Sequence, residues 1–172
     1  MDDFYKKLAA TGFEDNVEEL AKRIHAQYLT QIGEQPVANP DSAKPWDELT
    51  PDLKASNRAA AQRITDILAA VGLTCIPGKA TSAELDDVEK VLKTNLDLLA
   101  TMEHEGWMDE KRRQGWTFGE TRDNAQLKHP LMIPYCDLPE IEKDKDRDSI
   151  RNYASRVGEA GYKIVLKRAT NE

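Results

Sequence analysis

The sequence is poor in cysteine and in long apolar runs, and each shortage excludes a class of protein. Its two cysteines, Cys75 and Cys136, cannot supply a disulfide framework, and neither lies in a CxxC or CxxH spacing typical of zinc sites. We expect two buried, reduced thiols and no bound metal. No apolar run approaches the roughly 20 residues of a transmembrane helix, and the first residues lack the basic start and apolar stretch of a signal peptide. These absences favour a cytoplasmic protein.

Positive charge is also in short supply. There are 24 Lys and Arg residues against 31 Asp and Glu, which gives a formal net charge of −7. Such a surface repels phosphate backbones and anionic lipid, so we expect neither polymeric nucleic acid nor a membrane as a partner. A small anion held by a few placed basic residues remains compatible with this charge. At 172 residues, 40% of them hydrophobic, the chain can form one compact domain or two small halves.

The hydrophobic periodicity predicts a mainly α fold with short β-strands, of the α+β class. Helices are predicted over 14–32, from about Ser56 to Val71, over 82–114 as one long helix behind Ser82, and over 145–159. Strands are predicted over 73–76 and 162–166. Two irregular loops, 34–51 and 115–140, carry most of the prolines. The order helix, loop, helix, strand therefore occurs twice.

The same residues recur along with this order of elements. Leu20, Ala21, His25 and Tyr28 reappear 79 residues later as Leu99, Ala100, His104 and Trp107. Pro45, Trp46, Leu49, Lys54, Arg58 and Gly72 reappear 89 residues later as Pro134, Tyr135, Leu138, Lys143, Arg147 and Gly161. A single ten-residue difference in loop length reconciles the two displacements. We predict two similar units, 14–76 and 82–167, related by a pseudo-twofold axis and packed as one domain.

The second unit contains an ordered set of short motifs. They are Gly115-Trp116-Thr117-Phe118-Gly119, His129-Pro130 and Pro134-Tyr135, accompanied by Ala100, His104, Glu105, Trp107, Asp123, Leu138 and Lys143. This set resembles the ryanodine-receptor repeat, or RyR domain, of bacterial or phage type. The first unit lacks the GWTFG and HP motifs but keeps His25, Pro45-Trp46 and the run Ser56-Asn57-Arg58. It resembles a degenerate copy of the same repeat.

The resemblance implies a small helical domain to which no catalytic activity is attached. Channel repeats of this type hold an adenine nucleotide between two halves, and bacterial RyR domains have been proposed as sensors of nucleotide-derived signals. It therefore implies a non-enzymatic module that senses or sequesters such a molecule between the two repeats, without a cofactor. A protein-interaction or assembly module without a small ligand is the alternative, and a hydrolase of nucleotide signals is a third hypothesis. A homo-oligomer is left open.

Aromatic residues are the first candidates for contacting a ligand. Trp107 and Trp116 lie nine residues apart, at the end of a helix and the start of a loop, where they could form one wall of a pocket. A tryptophan face stacked on a purine contributes about 1–3 kcal/mol. Trp46 and Tyr135, which correspond in the two units, could form the opposite wall, with Phe118 as a weaker candidate. The alternative is that Trp107 is a core residue and that Trp46 and Tyr135 anchor the loops.

Basic and polar residues are the second group of candidates. Arg58 and Arg122 are favoured as phosphate ligands, followed by Arg147, because guanidinium groups offer forked donors. Asn57 is placed at a helix start, where free backbone N–H groups also attract anions. The alternative is that these charges are solvated and paired with carboxylates.

The histidines have two interpretations, and catalysis has no motif. His104 is either a donor to the ligand or, like His25, a hydrogen-bonded element of the interface between units. The sequence has no P-loop, GxGxxG or GxSxG motif, so no catalytic residue is assigned.

Overall fold

The computed structural model describes residues 13–37 and 39–167 as helices joined by loops and short strands. In chain order the elements are α1 (Phe13–Ile32), α2 (Pro51–Ala70), β1 (Leu73–Pro77), α3 (Ser82–Thr94), α4 (Leu96–Arg113), β2 (Thr117–Phe118), β3 (Lys128–His129), α5 (Glu140–Arg151), α6 (Tyr153–Glu159) and β4 (Tyr162–Leu166). Short 3₁₀ turns lie at Pro40–Ala43, Trp46–Glu48 and Tyr135–Asp137. The mainly helical fold with short strands is confirmed.

The length and polarity of the helices bear on two further expectations. No helix within the described ranges is both long and apolar enough to cross a membrane. The residues that bear on a signal peptide lie outside the description.

Two helices begin earlier than the hydrophobic pattern predicts. Helix α2 begins at Pro51 rather than near Ser56, because the Thr50 hydroxyl accepts a hydrogen bond from the Leu53 N–H at 3.3 Å. Helix α5 begins at Glu140 rather than at 145, directly after a proline. The first turn of each helix contains a single aliphatic residue, Leu53 or Ile141, so hydrophobic periodicity does not detect it.

Two predicted long helices are each interrupted by an asparagine. The single helix predicted over 82–114 is wrong, since Asn95 (φ −111°, ψ 19°) separates α3 from α4 and its amide donates to the Val91 carbonyl at 2.8 Å. Asn152 (φ −91°, ψ 1°) separates α5 from α6, and there it is the backbone N–H that donates, to the carbonyls of Asp148 and Ile150. The first break lets α3 pack on β4 while α4 packs on α2.

The two longest strands come from distant parts of the sequence and form an antiparallel pair. In β1 and β4, Cys75 lies opposite Ile164, and Leu73 opposite Leu166. Each strand follows a glycine with positive φ, at 74° for Gly72 and 86° for Gly161, where a side chain would be strained. The pair joins the end of the first predicted unit, 14–76, to the end of the second, 82–167.

The two cysteines differ in their surroundings. Cys75 is half-buried in β1, and its burial raises the pKa of its thiol to about 12, so the thiol is unreactive. Cys136 is exposed in the 3₁₀ turn. The expectation that both thiols are buried is therefore wrong for Cys136, which lies on the outer side of that turn.

One cluster of buried side chains contains residues from both predicted units. Its members include Leu20, Ala61, Ile64, Leu68, Leu99, Ala100, Ile150, Tyr153 and Val157. Within it the Tyr153 hydroxyl donates to the Glu103 carboxylate, whose other oxygen lies 3.4 Å from Arg63 Nε. Arg63 belongs to α2 and Glu103 to α4, so this largely buried pair joins the two predicted units. The attraction within such a pair offsets the cost of removing its charges from water only when the geometry of the pair is maintained.

The contact between α2 and α4 requires a glycine, and this can be tested. A Cβ at position 106 would lie 2.2 Å from Arg63 Cδ. We expect Gly106→Ala to lower the free energy of unfolding by about 1–3 kcal/mol, because the arginine must leave Glu103. Gly158→Ala is the matched control, since a Cβ there meets nothing within 4 Å. It should leave stability unchanged or raise it by up to about 1 kcal/mol. Urea unfolding measures both, and equal effects would contradict the close packing.

Candidate functional site

The loop between α4 and α5 contains little regular structure and is held by a buried histidine. His104 donates through Nε2 to the Ile133 carbonyl at 2.7 Å, directly before Pro134 and the turn that begins at Tyr135. His25 makes the same contact with the Lys44 carbonyl at 2.8 Å. Both bonds lie within one unit rather than between units, which corrects the expected position of the histidines.

Tyr135 and Arg147 are occupied by contacts with carboxylates. The buried Tyr135 hydroxyl donates to Asp97 at 3.0 Å, and its burial together with this carboxylate raises its pKa to about 12. Arg147 bonds Asp97 at 2.7 Å, Asp144 at 2.8 Å and Glu140 at 3.1 Å. Their charges raise the pKa of the guanidinium. The structure thus places Arg147 as a clamp between α4 and α5.

His104 also faces a carboxylate that its counterpart His25 lacks. Its Nδ1 lies 3.4 Å from Asp146 Oδ2. Burial by itself lowers the pKa of this imidazole, but the bonds to Asp146 and to the Ile133 carbonyl outweigh it, and the pKa is raised. The residue 89 positions before Asp146 is Asn57, whose amide instead donates to the Leu53 carbonyl at 2.9 Å. Of these two histidines, only His104 is therefore paired with a charged group among the described residues.

The end of α4 sets the position of Trp116. Gly115 adopts φ 91°, and the Trp116 N–H turns back to donate to the Lys111 carbonyl at 2.9 Å. This is a Schellman end, and it brings the Trp116 ring beside the Lys111 side chain. Gly119 closes the other side, since a Cβ there would lie 2.7 Å from Lys128 Cβ. The two glycines of the GWTFG motif thus have a geometric reason.

Two tryptophans and a histidine converge at this helix end. His129 lies edge-on to Trp107 and Trp116, with ring centroids 5.0 and 6.0 Å away. The Lys111 ammonium lies 4.7 Å from the centroid of Trp116 and 6.0 Å from that of Trp107. Arg122 lies nearby, and its charge acts on both Lys111 and His129. We call Trp107, Lys111, Trp116, Arg122 and His129 the donor face.

The donor face presents hydrogen-bond donors without matching acceptors. Within the described ranges neither indole N–H bonds another group, and Lys111 forms no ion pair and no hydrogen bond. Arg122 donates through Nε to Asn124 at 3.0 Å and pairs with no carboxylate among these residues. Burial and the nearby Arg122 charge lower the pKa of Lys111. Two cations that have no anionic partner in the described part of the chain therefore lie beside two half-buried indoles.

The remaining predicted residues lie elsewhere. Arg58 bonds Glu18 at 2.8 Å and lies 5.6 Å from the Trp46 ring, which contacts His25 edge-on at 6.2 Å. No ring contact among the described residues joins this first-unit cluster to the donor face. Asn57 lies inside α2 rather than at its start, so the prediction of free backbone N–H groups there is wrong. Phe118 is 51% exposed in β2.

Sequence reasoning missed Lys111 and His129 as members of the site. Lys111 follows Trp107 by four residues on α4, a spacing that places both on one helix face. That signal is weak, because a lysine at this spacing is typical of a solvated surface. His129 was noted only as part of a motif, and its contact with Trp107 depends on the path of the loop.

Two cavities of similar volume lie apart from the donor face. One, of about 510 Å³, lies between β4, α3 and α6, and the other, of about 520 Å³, lies between α1 and the end of α6. No donor-face residue lines either cavity. Over residues 13–37 and 39–167 no group of three or more His, Cys, Asp or Glu side chains is placed to hold a metal ion.

This unit is a small helical domain with two features held by α4. One is the loop that carries Trp116 between two glycines, and the other is the corner at Pro134-Tyr135, which the buried His104 fixes. Residues 83–166 match the family model of the RyR domain. The chain therefore contains an RyR domain over these residues, which include the whole donor face. The matched range does not include residues 14–76.

The His104–Asp146 pair generates a prediction about pH and stability. Because the folded-state pKa of His104 is raised above 6.5, its contribution to stability is complete below that pH and is lost as the pH rises through the folded value. We expect Asp146→Asn to flatten this part of the curve. Asp148→Asn, on the same helix and paired with the exposed Arg151, is the control and should keep it. Thermal unfolding between roughly pH 5 and 8 tests this. Identical curves for the parent and Asp146→Asn would contradict it.

Proposed function

We propose that this protein is a non-enzymatic binding module whose RyR domain holds a nucleotide-derived small molecule on the donor face, and so senses or sequesters it. The observation that carries the proposal is the set of unused donors around Trp116. Lys111 and Arg122 lack carboxylate partners among the described residues, although the chain as a whole carries a net charge of −7. An acidic protein whose described residues leave two cations without carboxylate partners beside two half-buried indoles is suited to an anion with an aromatic ring.

The chemistry of the face supports this ligand class. Phosphate oxygens are acceptors only, so they complement an ammonium and a guanidinium that have donors to spare. A purine presents a π face to Trp116 and ring nitrogens to nearby N–H groups. A ligand with both parts would satisfy charge and stacking together, whereas inorganic phosphate would use only the cations.

The proposal places the ligand within the RyR domain instead of between two repeats. The aromatic residues Trp46 and Tyr135 are packed against His25 and His104, so each closes a corner of its own unit. Arg58 and Arg147 are paired with carboxylates. Of the sequence candidates, Trp107, Trp116, Phe118 and Arg122 remain available for a ligand.

We also propose that residues 14–76 are a divergent copy of the RyR unit. Three observations support this. His25 and His104 make the same bond to a carbonyl before a proline, and a 3₁₀ turn follows in both cases. The β1–β4 pair is centred on Cys75 and Ile164, which are themselves 89 positions apart. A twofold axis between these residues would exchange the two strands.

A binding experiment tests the proposed function. Thermal shift and calorimetry with adenine nucleotides, ADP-ribose and cyclic dinucleotides should reveal stabilisation by at least one compound. We expect Trp116→Ala to weaken that binding by about tenfold or more, since stacking contributes about 1–3 kcal/mol. Lys111→Ala should have an effect of similar size, since a hydrogen bond to a charged group contributes about 1.5–3 kcal/mol. Lys90→Ala is the control, because it removes the same charge from an exposed position on α3. It should leave the affinity unchanged.

Two outcomes would contradict the proposal. One is the absence of stabilisation by any compound together with no co-purifying ligand in mass spectrometry. The other is an equal loss in the Lys90→Ala and Lys111→Ala variants, which would indicate general electrostatics only. A defined complex in light scattering that survives Trp116→Ala, without any small-molecule effect, would instead support the assembly module. Turnover of a compound would support a hydrolase.

A further inference from the structure

We propose that His129 acts on the donor face as a neutral hydrogen-bond donor through Nε2–H, and that it selects ligands with an acceptor beside the stacked ring. The inference rests on the proposed function, because it assigns a specificity-determining residue to the same face. It differs from the simpler view that His129 is a third cation for phosphate. The two views predict different tautomers, pH profiles and variant behaviour.

The backbone fixes which ring nitrogen carries the proton. The Leu131 N–H donates to His129 Nδ1 at 3.1 Å, so this nitrogen is an acceptor and has no hydrogen. In a neutral imidazole the proton then belongs to Nε2. Protonation of the ring would place a second hydrogen on Nδ1, facing the Leu131 N–H. The charged form therefore requires the His129–Leu131 corner to open.

The donor nitrogen is accessible and unused. Nε2 makes no hydrogen bond to the described residues, although His129 as a whole is only 8% exposed. Among the described residues, Arg63 Nε is the one buried side-chain nitrogen or oxygen without a hydrogen-bond partner, although it is ion-paired with Glu103. His129 Nε2 does not belong to this class, so it keeps some contact with solvent, and it is the ring nitrogen left free for a ligand acceptor. The two indoles that flank the ring, at 5.0 and 6.0 Å between centroids, hold it edge-on and limit its rotation.

The charges around the ring oppose its protonation. Lys111 from α4 and Arg122 from the loop are both positive, and Glu142 from α5 is the one carboxylate among the described residues that acts on the imidazole. Glu142 is itself paired with Lys145 at 2.9 Å. Burial, followed by the two cations, lowers the pKa of His129 below its usual 6.5. Near neutral pH the His129 ring is thus uncharged while Lys111 and Arg122 are charged. The donor face therefore presents two cations and one neutral hydrogen-bond donor.

The tautomer is measured first, and without any ligand. Long-range proton–nitrogen NMR on the ¹⁵N-labelled protein resolves three histidines, and His129→Gln assigns the signal. We expect the Nε2–H tautomer from roughly pH 6.5 to 8 and a transition to the charged form only at lower pH. An Nδ1–H tautomer, or a transition above 6.5, would overturn the proposal.

Binding of ADP-ribose tests the role in selection, because its diphosphate keeps a constant charge near neutral pH. His129→Gln places an amide N–H close to the position of Nε2, whereas His129→Asn places an acceptor close to Nδ1 and leaves no donor at Nε2. We expect near-parental affinity in the Gln variant and a loss of about threefold to tenfold in the Asn variant. Thermal unfolding of both variants checks that the His129–Leu131 corner is kept.

The pH profile separates the neutral donor from a cation. Between roughly pH 8 and 6.5 the affinity of the unsubstituted protein for ADP-ribose should stay constant, and it should not rise as the pH falls. A rise that disappears in His129→Gln would show that His129 binds as a cation and would overturn the inference. Equal losses in the Gln and Asn variants would overturn it as well. If ADP-ribose does not bind the unsubstituted protein at all, the selective role fails with that ligand class, while the tautomer remains a separate result.

Discussion

The hydrogen bond from His104 to the Ile133 carbonyl is the interaction on which the rest of the RyR domain depends. The segment between α4 and α5 has two strands of two residues each, too little regular structure to hold itself in place. A buried imidazole on α4 fixes its far end, and the proline corner that follows directs Tyr135 into the core. The donor face then forms where the near end of the same segment leaves α4. A rigid helix thus positions a site that is built largely from a loop.

The sequence predicts most of the helices and misses their interruptions, for a definite reason. Hydrophobic periodicity continues through Asn95 because the buried positions on both sides stay in register. The break arises from a hydrogen bond of the Asn95 amide to the Val91 carbonyl, which competes with the helix and leaves the apolar pattern unchanged. The starts at Pro51 and Glu140 are missed because their first turns contain too few apolar residues to extend the periodic pattern. Propensity and periodicity describe the faces of helices better than their ends.

The site divides in a similar way into predictable and unpredictable parts. Trp107 and Trp116 could be proposed from the sequence because an aromatic at a helix end and one in a glycine-bounded loop are visible there. That Arg147 is bound by carboxylates could not be predicted, since its partner Asp97 lies on another helix. Nor could the lack of an ion-pair partner for Lys111 among the described residues, because whether a carboxylate comes within bonding distance of a lysine depends on the three-dimensional arrangement. In a chain with 31 acidic residues, a lysine without an ion-pair partner among the described residues is a better indication of a binding site than a paired one.

The antiparallel pairing of β1 with β4 has a consequence for how the chain acquires its structure. β1 is made early, but its partner is residues 162–166, which follow the entire RyR motif. During synthesis β1 therefore has no strand partner until residues 162–166 have emerged from the ribosome. Closing so long a loop is entropically slow, and an uncovered edge invites association with other chains. The order of translation thus makes the two halves depend on each other before any ligand is present.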